Sequence, residues 1–309
     1  MRENNYGLKT RDMFKAASFV MNREVANGNA SFSTAATISE RFRKFSNFAN
    51  EKGLRRLEEI TPTLVSTYGQ GLAQQVEIGE LSIAYAQNLV SAVNTVMTAA
   101  TLGNWKSVSP TRTCKIPHRS HVRETKAAST DQSLVESAMA TMSERGRAIA
   151  SMARSFGLRS KEASLINPRS ALEEAKQTAQ VTIIAGTKGG RKRIVPITNE
   201  RQIASLILAS EVQDGNRSLT PENETWSEFR ERELREIREI LRAHGMTGLH
   251  DLRAGYATER YQNLTGERIP IDGGSASKED DLVAREIIAV ELGHGRIDVV
   301  NAYIGNRRK

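Results

Sequence analysis

Cysteine and long apolar runs are both nearly missing from this sequence. It contains a single cysteine, Cys114, which cannot form an internal disulfide or a cysteine-based metal site. No stretch approaches the ~18 consecutive apolar residues of a membrane span, and the first residues lack the apolar core of a signal peptide. These absences argue against a disulfide-rich secreted protein and against a membrane protein, and we expect a cytoplasmic protein.

Acidic residues are too few to balance the basic ones. The chain has 44 Lys and Arg against 36 Asp and Glu, a formal net charge of +8. Much of the excess lies in residues 102–126, whose basic members are Lys106, Arg112, Lys115, Arg119, Arg123 and Lys126. A solvated basic loop is one interpretation, but cations at this spacing could also track the phosphates of double-stranded DNA. We therefore treat these six residues as candidate DNA contacts.

Proline, glycine and weak periodicity around this basic segment predict a linker between two domains. We assign the chain to an N-terminal tail (1–9), a helical domain (10–101), the basic linker (102–130) and a second domain (131–309). Apolar residues at helical spacing run through the first domain, with N-cap candidates at Thr10 and Thr61. Four helices are expected there.

The second domain contains one strand pattern among several helical ones. The stretch "VTIIAGTKGGRKRIVPI" has two β-branched runs around a glycine-rich turn, which predicts a β-hairpin. The fold class that we expect is therefore mainly α with a small β-hairpin, an α+β arrangement.

Four short motifs of the second domain carry residues suited to phosphate chemistry. They are "SFGLRSKEASLI" with Arg159, the hairpin turn with Lys188, "HDLR" with His250 and Arg253, and "ELGHGRIDVVNAYIG" with His294 and Tyr303. Each motif alone is weak, because a His-x-x-Arg pair arises easily on a surface helix and a lone tyrosine is more often a core residue. In a helix, residues three apart share a face, so His250 and Arg253 would project together.

In this order and spacing, the motifs resemble the catalytic domain of tyrosine recombinases, the integrases of phages and mobile elements. Arg159 followed by Glu162 is similar to the family's first-arginine motif, and "HDLR" and "LGH" followed by Tyr303 are similar to its later motifs. The resemblance covers roughly residues 135–305. Residues 10–101 resemble the family's core-binding, SAM-like DNA-binding domain in pattern only.

The resemblance implies a site-specific recombinase that cuts and rejoins DNA through a 3′-phosphotyrosyl link, without metal or ATP. Tyr303 would be the nucleophile, and it needs a base or a positive field because the pKa of a phenol is near 10. Arg159 and Arg253 would clamp the phosphate, since guanidinium groups are always charged and bind phosphate through paired donors. His250 would help to take the tyrosine proton, and His294 would donate to a non-bridging oxygen.

The hairpin would supply the remaining groups. Lys188 matches the family's catalytic lysine, the general acid for the departing 5′-oxygen, and Lys192 is the less favoured candidate. Arg191 and Lys192 are expected to contact DNA. No cofactor or metal is expected, because the carboxylate cluster "KEDD" at 278–281 fits a solvated helix start better than a metal site. The resemblance further implies monomers that assemble as a homo-tetramer on paired DNA sites, away from any membrane.

The sequence departs from the family pattern in two places. Forty residues separate Arg253 from His294, more than in many relatives, and the surplus near residues 262–283 is polar and glycine-rich. We expect an inserted surface loop there, so that deleting residues 273–278 should leave cleavage intact. Only six residues follow Tyr303, too few for the C-terminal helix that many relatives exchange, although basic residues 307–309 could contact DNA.

Two alternatives stay open at this point. A type IB topoisomerase shares the phosphotyrosine chemistry but relaxes supercoils, and the helical first domain and the "LGH…Y" ending favour the recombinase. A DNA-binding accessory protein with a vestigial site is the second alternative. It is less favoured, because all six catalytic positions hold chemically competent residues.

Overall fold

The structure, a computed structural model, describes residues 4–307 and divides into two units between Ser120 and His121. Residues 1–3 of the predicted tail and residues 308–309 of the predicted basic end lie outside the described residues. The first part of the basic segment folds with the first unit, because Val108, Cys114 and Ile116 are buried in that unit's core. The division between the units thus falls inside the predicted linker.

The first unit contains helices and no strand among its described residues. Its elements are α1 (Met13–Ala26), α2 (Phe32–Glu51), a 3-10 turn (Leu57–Glu59), α3 (Pro62–Glu77) and α4 (Ile83–Ala100). Thr61 caps α3 as predicted, because its side chain accepts a hydrogen bond from the Leu64 amide. The Thr10 prediction was wrong. Asp12 caps α1 by accepting from the Lys15 amide, since the helix begins two residues later than the sequence pattern indicated.

Aromatic side chains form the centre of the first core. Phe42 and Phe45, three residues apart on α2, are both fully buried. The ring of Tyr68 on α3 meets Phe45 edge-on, with 5.2 Å between the ring centroids. Burial of several large rings on one helical face supplies much of the free energy that holds α2 against its neighbours.

The second unit is also mainly helical. It contains a 3-10 turn (Ala128–Thr130), α5 (Gln132–Ala140), α6 (Glu144–Phe156), α7 (Ser160–Leu165), α8 (Pro168–Thr178), β1 (Gln180–Ile183), a 3-10 turn (Lys188–Gly190), β2 (Arg193–Pro196), α9 (Glu200–Val212), α10 (Trp226–Glu231), α11 (Glu233–Ala243), α12 (Leu249–Thr265), a 3-10 turn (Pro270–Asp272), α13 (Lys278–Glu291), a 3-10 turn (Ile297–Val300) and α14 (Asn301–Ile304).

The predicted hairpin is present as an antiparallel pair of β1 and β2. Val181 is paired with Val195 and Ile183 with Arg193, and all four of these side chains are buried. The alternation of buried and less buried positions follows from the two-residue period of a strand. The expected fold class is confirmed, and among residues 4–307 no helix is long and apolar enough to span a membrane.

The segment near residues 262–283 is exposed at most of its positions, as expected for a surface loop, but a few of its side chains anchor it in the second unit. Ile269 is fully buried, Ala276 is 7 % exposed and Asp281 is 6 % exposed. Ser277 caps α13 through its side chain. A few apolar residues spaced between polar ones are enough to anchor the segment. Because most of its residues are polar, the sequence pattern does not show which side chains are buried.

Candidate active site

Arg253 lies at the centre of the candidate site, three residues after His250 on α12. Its side chain is fully buried, and its Nη1 and Nη2 donate hydrogen bonds to the carbonyls of Gly157 and Leu292. These two residues are the C-caps of α6 and α13. Carbonyl groups at a helix C-terminus lack partners within the helix and carry partial negative charge, so they suit a buried guanidinium.

Gly157 is needed for this arrangement. Its φ of +58° lies in the left-handed region, and a Cβ atom there would come within 2.6 Å of Leu292 Cδ2 and 2.7 Å of Tyr256 Cδ1. Only glycine therefore lets α6 end with its last carbonyl directed at Arg253. Gly157 of the "FGLR" sequence therefore has a structural role, beside the catalytic role predicted for Arg159.

Glu162 joins the arginines of the site. Its buried carboxylate accepts from Arg159 Nη1 at 2.7 Å and from Arg193 Nη2 at 2.8 Å, and it lies 3.9 Å from Arg253 Nη1. Burial alone would raise the pKa of Glu162, but the bonds from Arg193 and Arg159 outweigh it and hold that pKa below its ordinary value. Three guanidinium groups therefore surround one carboxylate, and the cluster has an excess of positive charge.

Arg193 is a member of this cluster that the sequence reasoning missed. It is 5 % exposed, and its Nε donates to the carbonyl of Glu291 at 2.7 Å. The signal was available in the period of the strand, because Arg193 and Val195 occupy alternate, inward positions of β2. In the sequence, Arg193 looks like one more exposed cation of the basic run at residues 191–193, and only the register of β2 shows that it faces inward.

Tyr303 on α14 meets Arg253 and His294 through its hydroxyl group. The hydroxyl accepts from Arg253 Nε at 3.1 Å and lies 3.1 Å from His294 Nε2. His294 Nε2 is also 3.2 Å from Arg253 Nη2, which closes a triangle of three polar groups. The tyrosine is only 2 % exposed, so its hydroxyl is buried among polar partners rather than in apolar packing.

Both histidines of the site are shifted toward their neutral forms. Desolvation, followed by the charges of Arg253 and Arg159, lowers the pKa of His294 to about 4. Desolvation beside Tyr303 and the charge of Arg253 also lower the pKa of His250, although part of this residue is exposed. The same desolvation lowers the pKa of Arg253 to about 10, so this arginine keeps its charge at neutral pH.

The two histidines differ in their position relative to Tyr303. The ring of His250 packs against that of Tyr303 with 5.4 Å between centroids, while His294 places a ring nitrogen within hydrogen-bonding distance of the hydroxyl. His294 can therefore exchange a proton directly with Tyr303 in this arrangement. The sequence had favoured His250 for that step.

The structure brings five of the six expected catalytic residues together but leaves Lys188 apart. Lys188 is exposed in the turn between β1 and β2, and it has no hydrogen bond or ion pair among the described residues. The base of this turn is anchored, because Gly186 lies against the carbonyl of Lys161. Arg191 and Lys192 are also exposed, and Arg191 Nη1 lies beside Gly295, next to His294.

The six basic residues of the predicted linker fall into two groups. Lys106, Arg112, Lys115 and Arg119 are exposed and make no ion pair within residues 4–307. Arg123 pairs with the buried Asp251 at 2.6 Å, and Lys126 pairs with Asp272 at 2.9 Å. The last two cations are therefore partly used to hold the second unit together, and the first four have their charges available to a partner.

Carboxylates near the start of α13 are engaged within the protein. The Asp280 carboxylate accepts from the Ser277 hydroxyl at 2.8 Å, and Asp281 pairs with Arg285. Among residues 4–307, no three His, Cys, Asp or Glu side chains come together in a way that could hold a metal ion.

Comparison with known proteins finds one matching family model and several similar folds. Residues 118–259 match the family model described as integrase. The fold is similar to that of the XerH site-specific recombinase bound to difH DNA (TM-score 0.60, 15% identity, 96% of this chain and 94% of that chain). It is also similar to a lambda integrase dimer bound to a COC′ core site (0.61, 14%, 95% of both chains).

A third similar structure is the Tn1549 transposon integrase in complex with transposon right-end DNA (TM-score 0.57, 12% identity, 93% of this chain and 94% of that chain). A comparison with curated protein sequences gives no match. The matched segment contains Arg159, Lys188, His250 and Arg253, and the fold adds His294 and Tyr303 to the same site. Residues 118–259 thus match an integrase family model, and the fold of the chain is that of tyrosine recombinases.

Proposed function

We propose that the protein is a site-specific DNA recombinase that cuts and rejoins strands through a 3′-phosphotyrosyl intermediate at Tyr303. The observation that carries this proposal is the Tyr303 hydroxyl, held 3.1 Å from both Arg253 Nε and His294 Nε2. A tyrosine beside a buried cluster with excess positive charge suits attack on an anionic phosphodiester.

Binding of the phosphate begins at Arg159. Its side chain is 26% exposed, whereas that of Arg253 is fully enclosed, with Tyr303 on its Nε. A phosphate that reaches Arg159 competes with the tyrosine hydroxyl for Arg253. As a phosphate oxygen takes over the bond from Arg253 Nε, the hydroxyl is released beside the phosphorus atom that it attacks.

The cleavage step moves one proton at each end of the displacement. His294, neutral because its pKa is lowered, accepts the proton of Tyr303 as the phenol oxygen bonds to phosphorus. The bond from phosphorus to the 5′-oxygen breaks, and Lys188 on the exposed turn protonates that oxygen. Arg159 and Arg253 hold the non-bridging oxygens, and the ring of His250 packs against the tyrosine ring.

Rejoining reverses these transfers. The 5′-hydroxyl of a second strand gives its proton to Lys188 and attacks the phosphotyrosine, the bond from phosphorus to Tyr303 breaks, and the phenol regains its proton from His294. The bond energy is conserved in the intermediate, so the rejoining step needs no ATP.

Partners and assembly follow from the chemistry of the exchange. Recombination of two duplexes breaks four strands, so four protomers on paired double-stranded DNA sites supply the four tyrosines. Lys106, Arg112, Lys115 and Arg119 supply backbone contacts from the first unit, and Arg191 and Lys192 supply them beside the scissile phosphate. We place the enzyme in the cytoplasm, as monomers until they bind DNA.

The integrase family match favours recombination over supercoil relaxation by a type IB topoisomerase. An accessory protein with a vestigial active site would not need a neutral histidine within hydrogen-bonding distance of the tyrosine hydroxyl. The basic cluster and its tyrosine are both needed only if the protein breaks DNA strands.

The experiment is to trap the covalent adduct. The substrates are nicked duplexes that together cover the DNA on both sides of the coding sequence. Cleavage of such a duplex releases a short fragment and leaves the protein covalently attached to the DNA. The parent protein should form an adduct with a few of these duplexes, and the matched Tyr303→Phe protein should bind them without forming one. Relaxation of plasmids irrespective of sequence would support the topoisomerase instead. Adduct formation by neither protein on any duplex would overturn the proposal.

A further inference from the structure

The nucleophile stands on an element too short to hold its own geometry. Tyr303 lies on α14, a helix of four residues, and helices of one turn are not stable by themselves. Its ring is packed in the core, but the turn that carries it needs support from elsewhere in the fold. That support comes from α13.

Arg285 of α13 contacts both ends of this turn. Its Nη1 donates to Asn301 Oδ1 at 2.6 Å, and its Nη2 donates to the carbonyl of Gly305 at 3.1 Å. Asn301 and Gly305 stand two residues before and two residues after Tyr303. A guanidinium is planar and its donors have fixed directions, so one arginine sets the distance and the orientation between the two contacts.

Asp281 fixes Arg285 in turn. Its Oδ2 accepts from Arg285 Nε at 2.8 Å, and its Oδ1 accepts from the Tyr261 hydroxyl at 2.7 Å. The Arg285 and Asp281 side chains are only 7% and 9% exposed, so the pair is shielded from water and from salt. The three donors of Arg285 that face protein groups therefore have one defined arrangement.

The segment near residues 262–283 contributes a second contact to the tyrosine turn. A Cβ atom at Gly305, whose φ is +77°, would lie 3.0 Å from the Cβ of Ile271. The surplus segment thus places Ile271 against the end of the turn and supplies Asp281 to hold the arginine. Ile271 contacts the turn after Tyr303, at Gly305, and Arg285 contacts it both before and after Tyr303.

We propose that Arg285, oriented by Asp281, is a positioning residue that holds Tyr303 for in-line attack, and that the surplus segment serves to build this support. The proposal rests on the proposed function, since the geometry matters only if Tyr303 is the nucleophile. Arg285 does not touch the reacting atoms. It acts on the rate through the placement of the phenol oxygen, where displacement by about 1 Å can cost on the order of 100-fold.

The first test uses the free enzyme and amide hydrogen exchange. In Arg285→Lys, a single ammonium group cannot reach Asp281, Asn301 and Gly305 together, so the Gly305 amide, which donates to the Asn301 carbonyl, should exchange about 10-fold faster or more. The matched control is Arg154→Lys. Arg154 is another largely buried arginine of this unit, paired with Glu259 at 2.9 Å, and its loss should leave the Gly305 amide unchanged.

The second test measures cleavage under single-turnover conditions on the best-reacting nicked duplex. Arg285→Lys should form the adduct about 10- to 100-fold more slowly at saturating DNA, with a dissociation constant for DNA within about twofold of the parent value. Arg154→Lys should lose stability but keep the parent rate. Asp281→Asn, which retains the volume and removes the charge, should show a smaller loss in the same direction.

The results that overturn the proposal are specific. Unchanged exchange at Gly305 in Arg285→Lys would show that the turn is not held by this arginine. A rate loss no greater than that of Arg154→Lys, or one matched by weaker DNA binding, would reduce Arg285 to a structural role. If the parent forms no adduct at all, the proposed function fails, and the exchange measurement alone decides whether the support exists.

Discussion

Glu162 and Arg193 form an ion pair in which both side chains are buried, with the Arg193 Nη1 and Glu162 Oε1 atoms 2.7 Å apart. Arg193 reaches this carboxylate from β2 and also contacts the carbonyl of Glu291. The hairpin, the first-arginine motif and the end of α13 are thereby joined at one point, directly beside Arg253. The position of the proposed catalytic arginines therefore depends on Arg193, a residue that does not itself face the solvent.

Substitution of Arg193 by glutamine should destabilise the protein strongly. It leaves Glu162 with one fewer partner in a buried site, and breaking such a pair costs about 3–5 kcal/mol in the free energy of unfolding. The matched control is Arg191→Gln, two residues away on the exposed side, with an expected change within about 0.5 kcal/mol. Urea unfolding followed by circular dichroism measures both. Equal midpoints for the two variants would contradict the role assigned to Arg193.

Cleavage should occur in cis, within one protomer. The Tyr303 hydroxyl lies 3.1 Å from Arg253 Nε of its own chain, so the nucleophile and the phosphate site are assembled together. A mixture of Tyr303→Phe and Arg159→Ala proteins should therefore form less than about one tenth of the parent amount of adduct, because neither has a complete site. Gel separation of labelled duplexes measures the adduct. Restoration of cleavage in the mixture would show that the tyrosine is donated to a neighbour.

Stability should fall as the pH decreases from about 6.5 toward 4. The pKa of His294 is about 4 in the folded protein and near 6.5 in an unfolded chain, so between these values the unfolded state binds the proton first. The contribution is fully present above pH 6.5 and is lost as His294 and its neighbour His250, whose pKa is also lowered, become protonated. The melting temperature of His294→Asn should depend less steeply on pH over this range. Parallel curves for the parent and the variant would refute the assignment.

Removal of residues 273–278 should damage the enzyme, contrary to what a surface loop would allow. The deletion removes the buried Ala276 and the Ser277 cap of α13, the helix that carries Asp281 and Arg285. Ser277→Ala alone should cost about 1 kcal/mol in the free energy of unfolding, as expected for an N-cap. Ser107→Ala, at an exposed serine, is the control and should be neutral. A deletion protein as stable and as active as the parent would restore the surface-loop interpretation.

Much of the site could be predicted from the sequence because its residues are tied to local patterns. The helical spacing of His250 and Arg253, the glycine-rich hairpin turn and the end of α6 at Gly157 are all short-range features. Short-range features depend on backbone propensity and side-chain period, which the sequence displays directly. The same reasoning gave the helical first unit and the small sheet.

The remaining features depend on contacts between distant residues. Arg193 was read as one more cation of a basic run, although its partners Glu162 and Glu291 lie 31 and 98 positions away. The pairing of Arg123 with Asp251 joins residues 128 positions apart. Nothing in the local sequence distinguishes a basic side chain that binds a buried carboxylate from one that faces solvent. The use of His294 rather than His250 at the tyrosine hydroxyl likewise depends on tertiary geometry.

Because the phenol of Tyr303 accepts from the Nε of Arg253 before any substrate arrives, small inorganic anions face an internal competitor for that donor. A free sulfate or phosphate ion would have to displace a hydroxyl that is already attached to the chain. Such an ion is too small to make contacts elsewhere on the protein that would offset the loss of that hydrogen bond. Duplex DNA differs, because each backbone contact made elsewhere on the protein helps to drive the same displacement. If the proposed function holds, the resting arrangement should discriminate between duplex DNA and the abundant salts of its surroundings without recognition of any base.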